Sequence, residues 1–186
     1  MDNGASSYLH FLQGDDSALS ELVRDYKDGL ILFLNRYVNN IHTAEDLAED
    51  TFFKLITQKP HYTQRCSFKT WLYTIGRNMA VDYLRLNERI EAMDEEEMNR
   101  LGADMENLER SYLQKTQTIT VHRALGSLHP DYAQVLHLKY FEDLSNDQIA
   151  VVMRKSRRQI VNLLYHAKLS LKEHLDKEGF EYEGLS

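Results

Sequence analysis

Two serine-led tetrapeptides near the C-terminus, Ser145-Asn146-Asp147-Gln148 and Ser156-Arg157-Arg158-Gln159, stand eleven positions apart. In each, the serine oxygen can accept from an orphan amide of a first helical turn. The glutamine three residues on can reach back to the serine's own N–H. Two helices therefore start where a helix-turn-helix needs them. The first carries Ile149, Ala150 and Met153 on one face. The second repeats Ile160, Leu164, Ala167, Leu171 and Leu175 at i, i+4, i+7, i+11 and i+15. Both inner stripes can pack on one small core, and the motif makes DNA the first partner to consider.

The rest of the chain is equally helical in pattern. With 2 prolines and 8 glycines in 186 residues and no sustained Val/Thr/Ile alternation, the expected fold class is all-α. A length of this order suits two small domains. Met1 to Ser20 lacks a basic-then-apolar leader pattern, and no apolar run approaches the roughly 20 residues of a membrane helix. A cytoplasmic protein without membrane insertion is expected. The single cysteine, Cys66, excludes an internal disulfide and leaves no cysteine partner for a zinc site.

A formal charge of −7 is unusual for a chain that meets DNA, so its distribution matters. Met1 to Ile90 holds 10 basic and 12 acidic residues, Glu91 to Thr120 holds 3 and 8, and Val121 to Ser186 holds 9 and 9. The excess belongs to the middle. That stretch, with Asp94-Glu95-Glu96-Glu97, reads as an acidic flexible linker over 91–115 between helical units at 14–90 and 116–176.

In the first unit, Leu19, Leu22, Val23, Tyr26, Leu30, Phe33, Leu34 and Tyr37 keep helical spacing after Asp15-Asp16-Ser17. Thr43-Ala44-Glu45-Asp46 predicts a second helix start, with Leu47, Ala48, Thr51, Phe52, Leu55 and Ile56 behind it and an end before Pro60. A third helix is predicted from Ser67, with the stripe Phe68, Leu72, Ile75, Met79, Tyr83 and Leu86. In the second unit, a helix through about Gly126 precedes His129-Pro130-Asp131. Pro130 then opens a helix to about Phe141 that buries Tyr132, Val135, Leu136 and Leu138.

Three surfaces carry chemistry. Glu45 with Glu49 and Asp46 with Asp50 are like-charged i,i+4 pairs, each costing roughly 0.2–0.5 kcal/mol on an isolated helix. A basic protein surface explains them better than the helix dipole, which acts only in the first turn. Metal or acid–base chemistry needs further converging groups that the sequence does not supply. On the third helix Trp71, Thr74, Asn78, Arg85 and Arg89 share one side. A flat ring there can stack on an unpaired base while guanidinium neutralises phosphate. The polar loop Tyr62 to Ser67 before it is a place for a base flipped from the stack. On the last helix Arg157, Arg158, Gln159, Asn162 and Tyr165 can face base edges. The five histidines from His122 onward form no recognisable ligand spacing.

Taken in order, Ala44-Glu45-Asp46-Leu47-Ala48-Glu49-Asp50-Thr51-Phe52, Phe68-Lys69-Thr70-Trp71-Leu72-Tyr73-Thr74-Ile75-Gly76-Arg77-Asn78 and Leu128 through Leu175 resemble the extracytoplasmic-function sigma factors of bacterial RNA polymerase. The resemblance runs from Gly14 to Leu175. It implies a region 2-like bundle and a region 4-like helix-turn-helix bundle, no enzyme activity, and neither cofactor nor metal. It implies that Asp46, Leu47, Glu49, Asp50 and Phe53 hold core polymerase. Trp71, Thr74, Asn78 and Arg85 would hold the melted −10 strand, and Arg157, Arg158, Gln159, Asn162 and Tyr165 the −35 duplex. It further implies sequestration by an anti-sigma factor.

The chain departs from that pattern at Val161, Leu163 and His166, where relatives usually carry basic residues. Its isolated C-terminal unit is therefore expected to bind duplex DNA weakly. The competing reading is a stand-alone helix-turn-helix regulator that needs no polymerase.

Overall fold

Short polar caps set where the helices begin, and left-handed residues set where several end. The computed structural model describes residues 3–91, 121 and 123–177, and these contain helices and no strand. Helices α1 (Asn3–Leu12), α2 (Asp16–Val38), α3 (Ile41–Gln58) and α4 (Phe68–Glu91) come first. A helical turn at 123–126 precedes α5 (Pro130–Tyr140), α6 (Asn146–Met153) and α7 (Arg157–Lys177). The acidic linker and most of the helix expected before Gly126 lie outside the described residues.

Asp15 caps α2, its carboxylate accepting from the Ser17 N–H at 3.0 Å. Asn39 ends that helix at φ 48° and hands the chain to Asn40, whose side chain accepts from the Thr43 N–H at 3.2 Å. The start expected at Thr43 thus falls at Ile41, because asparagine supplies the cap. Lys59, at φ 41°, closes α3 before Pro60. The Ser67 hydroxyl accepts from the Thr70 N–H at 3.2 Å and opens α4 where the sequence indicated.

Both serine boxes close. Gln148 Oε1 accepts from the Ser145 N–H at 2.8 Å and Gln159 Oε1 from the Ser156 N–H at 2.7 Å, while each serine oxygen accepts the glutamine's backbone N–H in return. Arg154, at φ 53°, makes the turn between α6 and α7. Ile149, Val152 and Met153 of α6 and Ile160, Leu164, Ala167 and Leu175 of α7 are buried.

Two features lie beyond the sequence reading. The first unit has a fourth helix, α1, which buries Tyr8 and Phe11 against α2 and α4. Gly4 permits that approach: a Cβ there would stand 2.5 Å from Tyr26 Oη and 2.6 Å from Phe68 Cδ1. The second feature is that the two helical units pack together, α5 on α2 and α6 on α4, around a continuous hydrophobic core. This is why α2 is buried on all sides from Leu30 to Arg36 instead of along one stripe. It is also why α4 buries Tyr73 and Ala80 besides the expected Phe68 and Leu72.

Charges cross the joint. Lys69, at the head of α4, places its Nζ 3.1 Å from the Glu142 carboxylate and 3.2 Å from the Glu142 carbonyl oxygen. His137 Nε2 lies 3.3 Å from the same carboxylate. At the rim, Gln148 Nε2 donates to Ser67 Oγ at 3.1 Å, tying the α6 capping box to the α4 cap.

Candidate nucleic-acid and protein interfaces

Helix α3 buries Ile41, Ala44, Leu47, Ala48, Thr51, Phe52 and Leu55 and turns Asp46, Glu49, Asp50 and Phe53 outward. Phe53 is 62% exposed, and Ile56 beside it 39%. Because α3 begins at Ile41, its first turn holds no acid at all. The helix dipole therefore accounts for none of the four carboxylates, including Glu45 and Asp46. Glu49 has a cationic neighbour, Lys27 Nζ at 3.1 Å. Leu47 is buried, so of the five residues assigned to polymerase it supports the face from beneath.

On α4, Trp71 is half-buried in an aromatic cluster. Its ring lies 5.2 Å from Tyr8, 5.0 Å from Tyr62 and 5.7 Å from Phe68. The indole is thus fixed on its inner side by a helix that the sequence reading did not include. Thr74 is half-buried and its hydroxyl donates to the Thr70 carbonyl at 2.7 Å. Half-buried Asn78 accepts from Arg77 at 3.4 Å. Arg85 is exposed, with Asp82 3.9 Å away. In the preceding loop, the buried Tyr62 hydroxyl donates to the Cys66 carbonyl at 2.6 Å. Thr63, Gln64 and Arg65 remain exposed, with Gln64 at φ 57°. The loop is therefore anchored at its base and open at its tip.

On α7, Arg157, Arg158, Gln159, Asn162 and Tyr165 are all exposed. Arg157 lies 3.6 Å from Asp147 of α6. Gln159 commits its oxygen to the cap, which leaves its amide nitrogen as the group able to face a base. Val161 and Tyr165 are 48% and 63% exposed, so the outward face mixes guanidinium, amide and apolar groups. Such a face suits base edges and thymine methyl groups better than a row of phosphates.

The residues of the joint were not singled out from sequence for any role. Nothing local in the sequence connects His137 or Glu142 to Lys69 or Gly29, which packing alone brings together. Burial pushes the Glu142 carboxyl up. The His137 ring, the Lys69 charge and the Tyr73 hydroxyl outweigh that and hold it down at about 2. Burial likewise drives His137 below its ordinary value against the pull of Glu142. Among the described residues no cluster of His, Cys, Asp or Glu could hold a metal ion, and no helix is long and apolar enough to cross a membrane.

Comparison with known proteins meets the same two units. Residues 22–90 match the family model of Sigma-70 region 2, and residues 119–171 that of Sigma-70, region 4. The chain is similar to the RNA polymerase sigma-H factor of Pseudomonas aeruginosa, with 30% identity over 173 residues, covering 89% of this chain and 88% of that one. It is also similar to the RNA polymerase sigma factor YlaC of Bacillus subtilis, with 27% identity over 165 residues, 88% of this chain and 95% of that one. Among solved structures, the sigma factor RpoE in complex with the anti-sigma factor NepR from Bartonella quintana superposes with a TM-score of 0.67 at 20% identity, over 84% of this chain and 96% of that chain. CnrH in complex with the cytosolic domain of CnrY gives 0.63 at 19%, over 94% and 96%. The structural likenesses establish the shared fold, and the sequence matches carry the assignment further: this chain belongs to the sigma-70 family of RNA polymerase sigma factors, in the extracytoplasmic-function group.

Proposed function

We propose that this sigma factor works in the cytoplasm, holds core RNA polymerase through the outward face of α3, and reads a promoter with α4 and α7. Asp46, Glu49, Asp50 and Phe53 meet a basic and apolar surface of the polymerase, with Leu47 beneath them. Trp71, Thr74, Asn78 and Arg85 hold the melted −10 strand, the indole stacking on an unpaired base while Arg85 meets phosphate. Arg157, Arg158, Gln159, Asn162 and Tyr165 engage the −35 duplex in the major groove. No reacting group is involved. An anti-sigma factor is the expected regulator, as the partners in the RpoE–NepR complex suggest.

The observation that carries this reading is the acidic, partly apolar face of α3, which faces solvent and has no explanation in its own helix's first turn. A stand-alone regulator would need no such surface, and the match to both sigma regions disfavours it.

The test is a native-gel assay of the protein with bacterial core polymerase and a template pre-melted at the −10 element. Wild type is expected to form the complex, and Asp46→Lys/Asp50→Lys to lose it. Tight binding to duplex DNA without polymerase, unaffected by the double substitution, would favour the stand-alone regulator.

A further inference from the structure

Glu142 is an 8%-exposed carboxylate at the contact between the two halves of the molecule, and the groups around it come from three different helices. Lys69 and Tyr73 approach from α4, His137 from α5 and the backbone of Gly29 from α2. A Cβ at Gly29 would stand 2.6 Å from both Glu142 Oε1 and Tyr73 Oη, so the carboxylate occupies space that only glycine leaves open. A joint built this way differs from an apolar one. Separating it returns both charges to water, which offsets much of the attraction that is lost. It can hold the halves together and still release them.

The packed arrangement has a consequence for DNA. Positions −35 and −10 are roughly 25 base pairs apart, about 85 Å of B-form duplex at 3.4 Å per pair. In the structure α6 lies on α4 and α7 lies on α6. Three helices side by side, each about 10–12 Å across, keep the two reading faces within about 35 Å. The closed molecule cannot address both elements.

We propose that Glu142 is a latch: seated on Gly29 and paired with Lys69, it holds the sigma factor in a closed resting state that must open before both promoter elements are engaged. The proposal rests on reading α4 and α7 as the −10 and −35 faces. Glu142 touches no DNA; it acts by setting how often the halves part.

The experiment uses the full-length chain with Cys66→Ser and dye-labelled cysteines at the exposed positions Gln58 and Lys172, followed by single-molecule energy transfer. Wild-type background is expected to give one predominant high-transfer population. Glu142→Gln removes the charge, and Gly29→Ala displaces the carboxylate without altering it. Each is expected to enlarge the low-transfer population at least threefold, with wild-type helical content by circular dichroism. Each is also expected to raise complex formation with core polymerase and promoter at least threefold at limiting protein. Lys69→Gln, altering a partly exposed partner, gives the same reading should either of the others fail to fold. Unchanged transfer in the folded variants overturns the latch, as does opening without any gain in promoter complexes. If the wild type forms no polymerase complex at all, the promoter reading fails instead, and with it the latch's inhibitory role. Transfer in the free protein still decides whether Glu142 holds the joint.

Discussion

Ser156 fixes the start of α7 in two ways at once, accepting from the Gln159 N–H at 3.2 Å and donating its own N–H to Gln159 Oε1 at 2.7 Å. Ser156→Ala removes the acceptor and is expected to cost about 1 kcal/mol. That lowers the melting temperature of a chain this size by about 2–4 °C. Fraying would also reach Arg157 and Arg158 in the first turn, so protection of the −35 element in footprints of the polymerase complex is expected to weaken more than that of the −10 element. These caps were legible in the sequence because all their atoms lie within four residues. Glu142 was not: its partners at positions 29, 69 and 73 are assembled only by packing. Asn40 shows the middle case, a cap of the right chemistry overlooked in favour of the nearby Thr43, which shifted the predicted helix start by two residues.

At the scale of elements, α1 and α3 make opposite demands. Tyr8 of α1 is fully buried, its hydroxyl donates to the Pro60 carbonyl at 2.8 Å, and burial raises its phenol to about 12. Tyr8→Ala is expected to cost about 3–5 kcal/mol in denaturant unfolding and, by loosening Trp71, to weaken −10 strand binding. Tyr8→Phe keeps the ring and is expected to cost about 1 kcal/mol with −10 binding intact. Helix α3, by contrast, holds Asp46, Glu49, Asp50 and Phe53, the side chains proposed to meet polymerase, away from the core. Asp46→Lys/Asp50→Lys is therefore expected to change unfolding free energy by no more than about 0.5 kcal/mol while abolishing the polymerase complex. The α3 face was legible because like charges at i,i+4 stand out in any sequence. Helix α1 was not, because Gly4, Ser6 and Ser7 weaken its helical pattern, and its glycine makes sense only against Tyr26 and Phe68.

For the molecule as a whole, the joint predicts a pH dependence. Glu142 titrates at about 2 in the closed structure against an ordinary 4.5. Its contribution is complete above the ordinary value and fades as the pH falls towards 2. His137 is held below its ordinary 6.5, so the separated or unfolded chain takes up its proton first and the closed form weakens as the pH drops below about 6.5. Lys69 and Tyr73 on α4 and Arg36 on α2 face the same cluster, and none reverses the sign. Melting temperature is expected to fall steadily from pH 7.5 to pH 5. That fall belongs to His137; a further fall below about pH 4.5 belongs to the carboxylate and is expected to vanish in Glu142→Gln. The all-α class and the order of the helices could be foreseen from periodicity, which is a property of each segment alone. The burial of α2 on every side could not, because it depends on α5 arriving from the far end of the chain.

The aromatic cluster around Trp71 also gives the protein an optical probe of its own. It is the only tryptophan among 11 tyrosines, and Tyr8 and Tyr62 lie 5.2 and 5.0 Å from it, ring centre to ring centre. At that range, light absorbed by either phenol passes to one indole. Unlabelled protein therefore reports on a single spot: a base stacked on the outer face would quench the emission, and departure of α1 would cut the transfer that feeds it.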